Sequence, residues 1–79
     1  MANASPSRVL VCDNIVEFCD EMRAILEPLG LEVVTELSPV RALERLAEEP
    51  FDLFITTLII PEMGGLEIIR RVRGAGNPV

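Results

Sequence analysis

Three observations predict an α/β fold with parallel strands. Short apolar runs alternate with longer segments whose apolar residues recur every three or four positions. The first run, Arg8-Val9-Leu10-Val11-Cys12, has no polar alternation and suits a strand buried on both faces. Finally, Gly and Pro stand between the segments, most densely at Pro61-Glu62-Met63-Gly64-Gly65. The resulting order, β-α-β-α-β-α, implies parallel strands joined by right-handed helical crossovers.

The elements follow in order. Met1 to Ser7 is small and polar and predicts a loose, flexible start, with the domain running over residues 8–79. The first strand stops at Asp13-Asn14, either of which can cap the exposed amides of a following helix. In that helix Ile15, Phe18, Cys19, Met22, Ile25, Leu26 and Leu29 form the apolar stripe, and Glu17, Asp20, Glu21, Arg23 and Glu27 the polar face. Pro28 falls in its last turn and Gly30 ends it. Leu31 to Glu36, with Val33, Val34 and Thr35, predicts a second strand. Ser38 caps and Pro39 opens a second helix, with Val40, Leu43, Leu46 and Ala47 inward and Glu48-Glu49-Pro50 at its end. A third strand spans Asp52 to Leu58, followed by a loop from Ile59 to Gly65. Leu66 to Arg73 is the last helix, with Leu66, Ile69 and Val72 inward.

Length and composition bound the function. Seventy-nine residues make one domain with a modest core. The net charge of −6 argues against nucleic acid and anionic lipid as partners. All seven cations are arginines, and Arg70, Arg71 and Arg73 suit the carbonyl end of a helix. Cys12 and Cys19 do not make a disulfide framework and read as small buried apolar residues. Without His or Lys, no nucleophile–base pair is visible, so the chain is not expected to be an enzyme and no cofactor is expected. No secretion signal precedes the first apolar run, and no apolar stretch approaches the roughly 20 residues that span a bilayer. A cytoplasmic location is expected.

Several segments together resemble the response-regulator receiver domain of bacterial two-component signalling. They are Arg8-Val9-Leu10-Val11-Cys12-Asp13-Asn14, Leu26-Glu27-Pro28-Leu29-Gly30, Ala42-Leu43-Glu44-Arg45-Leu46, and Asp52-Leu53 leading to Pro61-Glu62-Met63-Gly64-Gly65-Leu66-Glu67. The strand-three and loop pattern is the most specific of these. The resemblance implies a flavodoxin-like receiver fold of which this chain carries the N-terminal part only, truncated after the third β-α unit, with strands in order 2-1-3.

Receivers transfer a phosphoryl group to an aspartate at the end of strand three, beside two acids that hold magnesium. The resemblance places the acceptor position on Thr57 and the acidic pair on Asp13 and Asn14. A loop acid common in the family falls on Gly64. The family's hydroxyl and lysine positions would lie beyond Val79. Thr57 cannot form an acyl phosphate. Asp13, with an amide and a hydroxyl for company, would hold magnesium weakly at most. Thus no metal is expected, and Asp13 reads first as a helix cap.

Strand three is interior in receivers and would be an edge here. Its apolar residues Phe54, Ile55 and Leu58, with Leu66 and Ile69 of the last helix, are the candidate interface. The expectation is a phosphorylation-independent module binding protein partners, most simply a homodimer through the strand-three edge or the last helix. The alternative is a response-regulator fragment that joins a phosphorelay with its remaining half supplied elsewhere.

Overall fold

A computed structural model describes residues 7–57 and 60–79. Most of the predicted loose start, Leu58 and Ile59 lie outside the described residues. Strand β1 (Arg8–Cys12) leads to helix α1 (Val16–Leu26), a short 3₁₀ turn (Glu27–Leu29), β2 (Glu32–Glu36), α2 (Pro39–Glu48), β3 (Leu53–Thr56) and α3 (Gly65–Gly74). The strands form one parallel sheet in the order β2-β1-β3, as the resemblance implied.

The interior strand decides the layering. Val9, Leu10, Val11 and Cys12 are all essentially buried. Their alternation sends Val9 and Val11 to one face, where they pack with Cys19, Val33 and the half-buried Phe18, Met22, Leu26 and Ile55. Leu10 and Cys12 go to the other face, with Ala42, Leu46, Ile60, Ile68 and Val72. Helix α1 therefore covers one face alone, and α2 and α3 share the other.

The turn chemistry matches the residues that carry it. Gly30 takes a left-handed φ of 90° where the 3₁₀ turn ends. Ser38 Oγ accepts from the Arg41 amide at 3.5 Å, with Pro39 in the first helical position. Arg8 ties down the start of the sheet. Its guanidinium reaches Glu32 at 3.1 Å, Glu49 at 2.9 Å and the Pro50 carbonyl at 3.0 Å, and lies 4.6 Å from the Phe51 ring centroid. The hydrogen bond from Arg8 holds the Glu49 carboxyl below its ordinary range, with help from the charge of Arg45.

Several inward assignments are corrected. In α1, Ile15 precedes the helix and is half-exposed, while Ile25 and Leu29 also face outward. The inward arc is Phe18, Cys19, Met22 and Leu26, because a helix lying on three strands buries only a narrow stripe. In α2, Val40 and Ala47 are exposed, and Pro39, Ala42 and Leu46 form the buried line. In α3 the sheet takes Gly65, Ile68 and Val72, leaving Leu66 and Ile69 outside. Two apolar arcs pass through Val72; the buried one begins at Gly65, which has no side chain to hold the helix off the sheet. Strand β3 is shorter than predicted, and Thr57 follows it rather than lying within it.

The α3 correction yields a stability prediction. Ile68→Ala should cost about 2–5 kcal/mol, and Leu66→Ala should stay within about 0.5 kcal/mol, both read from urea unfolding. The reverse ranking would show that the other arc is buried.

The cysteines yield a pH prediction. Burial pushes the Cys12 thiol from 9.0 up to about 11, and burial likewise raises Cys19. The fold thus keeps protonated two thiols that ionise more readily when unfolded. The Cys12 contribution to stability is complete below pH 9.0 and is lost as pH rises through about 11, and Cys19 acts in the same direction. The sequence has no Tyr and no Lys to titrate in that window. Melting temperature should therefore fall between pH 9 and pH 11, and Cys12→Ala should shrink the fall.

Candidate functional site

In open α/β sheets, ligand chemistry gathers where the strands end at their carboxyl edge. Here β1 and β3 are neighbours, with Cys12 opposite Thr56. The parallel register therefore brings the next residues, Asp13 and Thr57, together at the sheet edge. Asn14 lies one step further on and is exposed.

Asp13 is 6% exposed and, among the described residues, is the one polar residue that is buried. Its groups are engaged locally. The Ile15 amide donates to Asp13 Oδ1 at 2.9 Å, the Asp13 amide donates to the Glu36 carbonyl at 3.2 Å, and Cys19 Sγ donates to the Asp13 carbonyl at 3.7 Å. The expected cap is therefore corrected in place. Asp13 closes the turn before α1, bonding the amide of Ile15, which itself precedes the first helical residue.

Thr57 is half-buried, and its carbonyl accepts from Thr56 Oγ1 at 3.3 Å. Gly64 starts α3, its carbonyl accepting from the Glu67 and Ile68 amides at 3.1 Å each. No carboxylate stands at either position. Glu36, at the end of the neighbouring β2, is ion-paired with Arg45.

The donor set decides what this edge can hold. Among the described residues, no three His, Cys, Asp or Glu side chains come together as metal ligands. Asp13 brings a single carboxylate, one oxygen of which already accepts from Ile15. Magnesium sheds its waters reluctantly and is usually anchored by one or two carboxylates. Among the described residues, Asp13 is the one carboxylate these positions bring to the β1 end of the edge.

Two cavities open elsewhere. One of about 440 Å³ lies between the C-terminal halves of α2 and α3, lined by Leu43, Leu46 and Val72 among others. A smaller one, about 130 Å³, sits at the β3 edge between Phe54, Ile69, Val72, Arg73 and Val79. Neither reaches Asp13 or Thr57.

The candidate interface residues separate into two groups. Phe54 and Ile55 are half-buried on opposite faces of the edge strand β3. Leu66 and Ile69 are exposed on α3 at 66% and 43%. Leu58 lies outside the described residues.

Sequence reasoning missed Arg23. It counted as part of the polar face of α1, yet its guanidinium donates to the Val33 carbonyl at 2.9 Å and to Thr35 Oγ1 at 3.3 Å. It is the sole cation on an otherwise acidic helix face. That oddity was the available signal.

Comparison with known proteins agrees with the geometry. Over residues 9–79 the chain matches the family model described as the response regulator receiver domain. It is 36% identical over 64 residues to the response regulator receiver protein CpdR of Brucella abortus, covering 81% of this chain and 53% of that protein. It is 35% identical over 54 residues to the transcriptional regulatory protein CrdR of Helicobacter pylori, covering 68% of this chain and 25% of that one. The chain thus spans about half the length of CpdR and a smaller share of CrdR. Among solved structures it superposes on the chemotaxis response regulator CheY4 of Vibrio cholerae with a TM-score of 0.88 and 26% identity, over 92% of this chain and 61% of that one. The response regulator TrrA of Thermotoga maritima, solved with magnesium and beryllofluoride, gives 0.84 and 26%, over 87% and 60%. With the 2-1-3 parallel sheet and the Asp13–Thr57 edge in place, these matches establish that the chain belongs to the response regulator receiver domain family of two-component signalling.

Proposed function

We propose that this receiver domain is a pseudo-receiver that works without phosphorylation, as a protein–protein interaction module in signalling. One observation carries the reading: the strand end facing Asp13 presents the hydroxyl of Thr57. An acyl phosphate needs a carboxylate, and a β-branched alcohol at a strand end is not one. Two further features support it. The position of the second acid holds Asn14, a neutral amide, and Asp13 spends an oxygen on its own turn.

In this reading the chain has no enzymatic role and needs no metal. Its partners are proteins, in keeping with the acidic net charge of −6 and with a described structure in which no helix is long and apolar enough to cross a membrane. The exposed apolar residues of α3 and the β3 edge are the surface it offers, and a cytoplasmic setting suits it.

A second reading draws on the burial of Asp13 at the β1 end, where receivers keep an acid. The chain would then join a phosphorelay, with the other groups supplied from elsewhere.

Labelling with acetyl phosphate in the presence of magnesium separates the two. The wild-type chain should take up no acid-stable or base-labile phosphate, and stoichiometric labelling at any carboxylate would overturn the pseudo-receiver reading. Thr57→Asp should stay unlabelled as well, because Asn14 still stands where the second metal-binding acid is wanted. Labelling of Thr57→Asp alone would show that the acceptor is the sole defect.

A further inference from the structure

Strand β2 borders the sheet on the side away from β3. The Glu32 amide donates to the Ser7 carbonyl at 2.9 Å, and the Glu36 carbonyl accepts from the Asp13 amide at 3.2 Å, so both residues face β1. By strand alternation the main-chain groups of Val33 and Thr35 point the other way, out of the sheet. An outward row of this kind is a template on which another strand can pair.

Among the described residues, one side chain bonds to that row. Arg23 donates from one guanidinium nitrogen to the Val33 carbonyl at 2.9 Å and from another to Thr35 Oγ1 at 3.3 Å. The nitrogen on Val33 also donates to Glu27 at 2.9 Å. Bonds from a charged donor are roughly twice as strong as neutral ones. A strand pairing at Val33 would have to displace the guanidinium from its carbonyl. The whole contact is made between α1 and β2, by residues 23–35 of the chain.

Two simpler roles would also suit this arginine. It stands in the last turn of α1, where a cation complements the helix carbonyls, and it pairs with Glu27 four residues on. Neither role needs Val33 or Thr35, yet the guanidinium reaches both. The other charged residues of α1, Glu17, Asp20 and Glu21, are all acidic. The single cation of the helix is therefore the one laid across the strand edge.

We propose that Arg23 is an edge guard: by occupying the Val33 carbonyl it keeps β2 from pairing with the β2 of a second copy. The pairing it prevents has a defined register. With two β2 strands antiparallel about a twofold axis at Val34, the Thr35 amide of each copy would donate to the Val33 carbonyl of the other. That carbonyl is the group Arg23 holds. The guard acts at β2 alone and is independent of the chemistry at Thr57.

Arg23→Ala tests this, with circular dichroism to show that each variant is folded. The substitution takes the net charge from −6 to −7, so charge repulsion by itself would weaken self-association. Loss of the guard has the opposite effect. Sedimentation over a micromolar concentration series should show Arg23→Ala associating at least about tenfold more tightly than the wild-type chain. Adding Thr35→Pro removes the outward donor, and proline is tolerated where the lost N–H points away from the sheet. The double variant should return to wild-type behaviour. Hydrogen exchange gives a readout that needs no proline, and it decides alone if the double variant does not fold. In Arg23→Ala the Val33 and Thr35 amides should gain protection as concentration rises; in the wild type they should not. An arginine with a structural role only would lower the melting temperature and leave association and exchange unchanged. That result would overturn the proposal. So would an unfolded Arg23→Ala, association that survives Thr35→Pro in a folded chain, or concentration-dependent protection of these amides in the wild type.

Discussion

Burial of β1 on both faces is the constraint from which the rest of this small structure follows. A three-stranded sheet has one interior strand, and that strand must supply apolar side chains to both layers. Val9 and Val11 serve α1; Leu10 and Cys12 serve α2 and α3. The polar residues that bound β1 are consequently placed at the two ends of the sheet. Arg8 gathers Glu32, Glu49, Pro50 and Phe51 at one end, joining β1 to β2 and to the α2–β3 connection. Asp13 marks the other end, and it is there that the family's chemistry is sited.

At that end the strand register of a receiver persists. The register still brings the residue after β1 against the residue after β3. What meets is a carboxylate bonded to its own turn and a neutral hydroxyl. Position is a property of the backbone, held by the core. Reactivity is a property of the side chains, which the core does not constrain. A fold can therefore keep the arrangement of a site while the side chains at it vary.

The edges show a related separation. Both outer strands present main-chain groups, yet one carries a bound guanidinium and the other an apolar border. Arg23 holds the β2 edge by bonding the Val33 carbonyl and the Thr35 hydroxyl.

Much of this was legible in the sequence. The unbroken apolar run from Val9 to Cys12 marks an interior strand, because only burial on both faces tolerates it. Gly30 and Ser38-Pro39 mark their turns through local backbone chemistry. Three features depended on tertiary structure. Periodicity placed two apolar arcs on α3, and only packing against the sheet selected Ile68 over Leu66 and Ile69. Asp13 was read as a helix cap, but the cap position falls on Ile15, and Asp13 accepts from the Ile15 amide instead. Arg23 lies ten residues before Val33, and nothing in its local sequence says that its guanidinium ends on that strand. Local chemistry depends on neighbours in the chain and can be read from it. The selection of a helix face, or of a long side chain's partner, depends on residues brought together only when the sheet and helices pack.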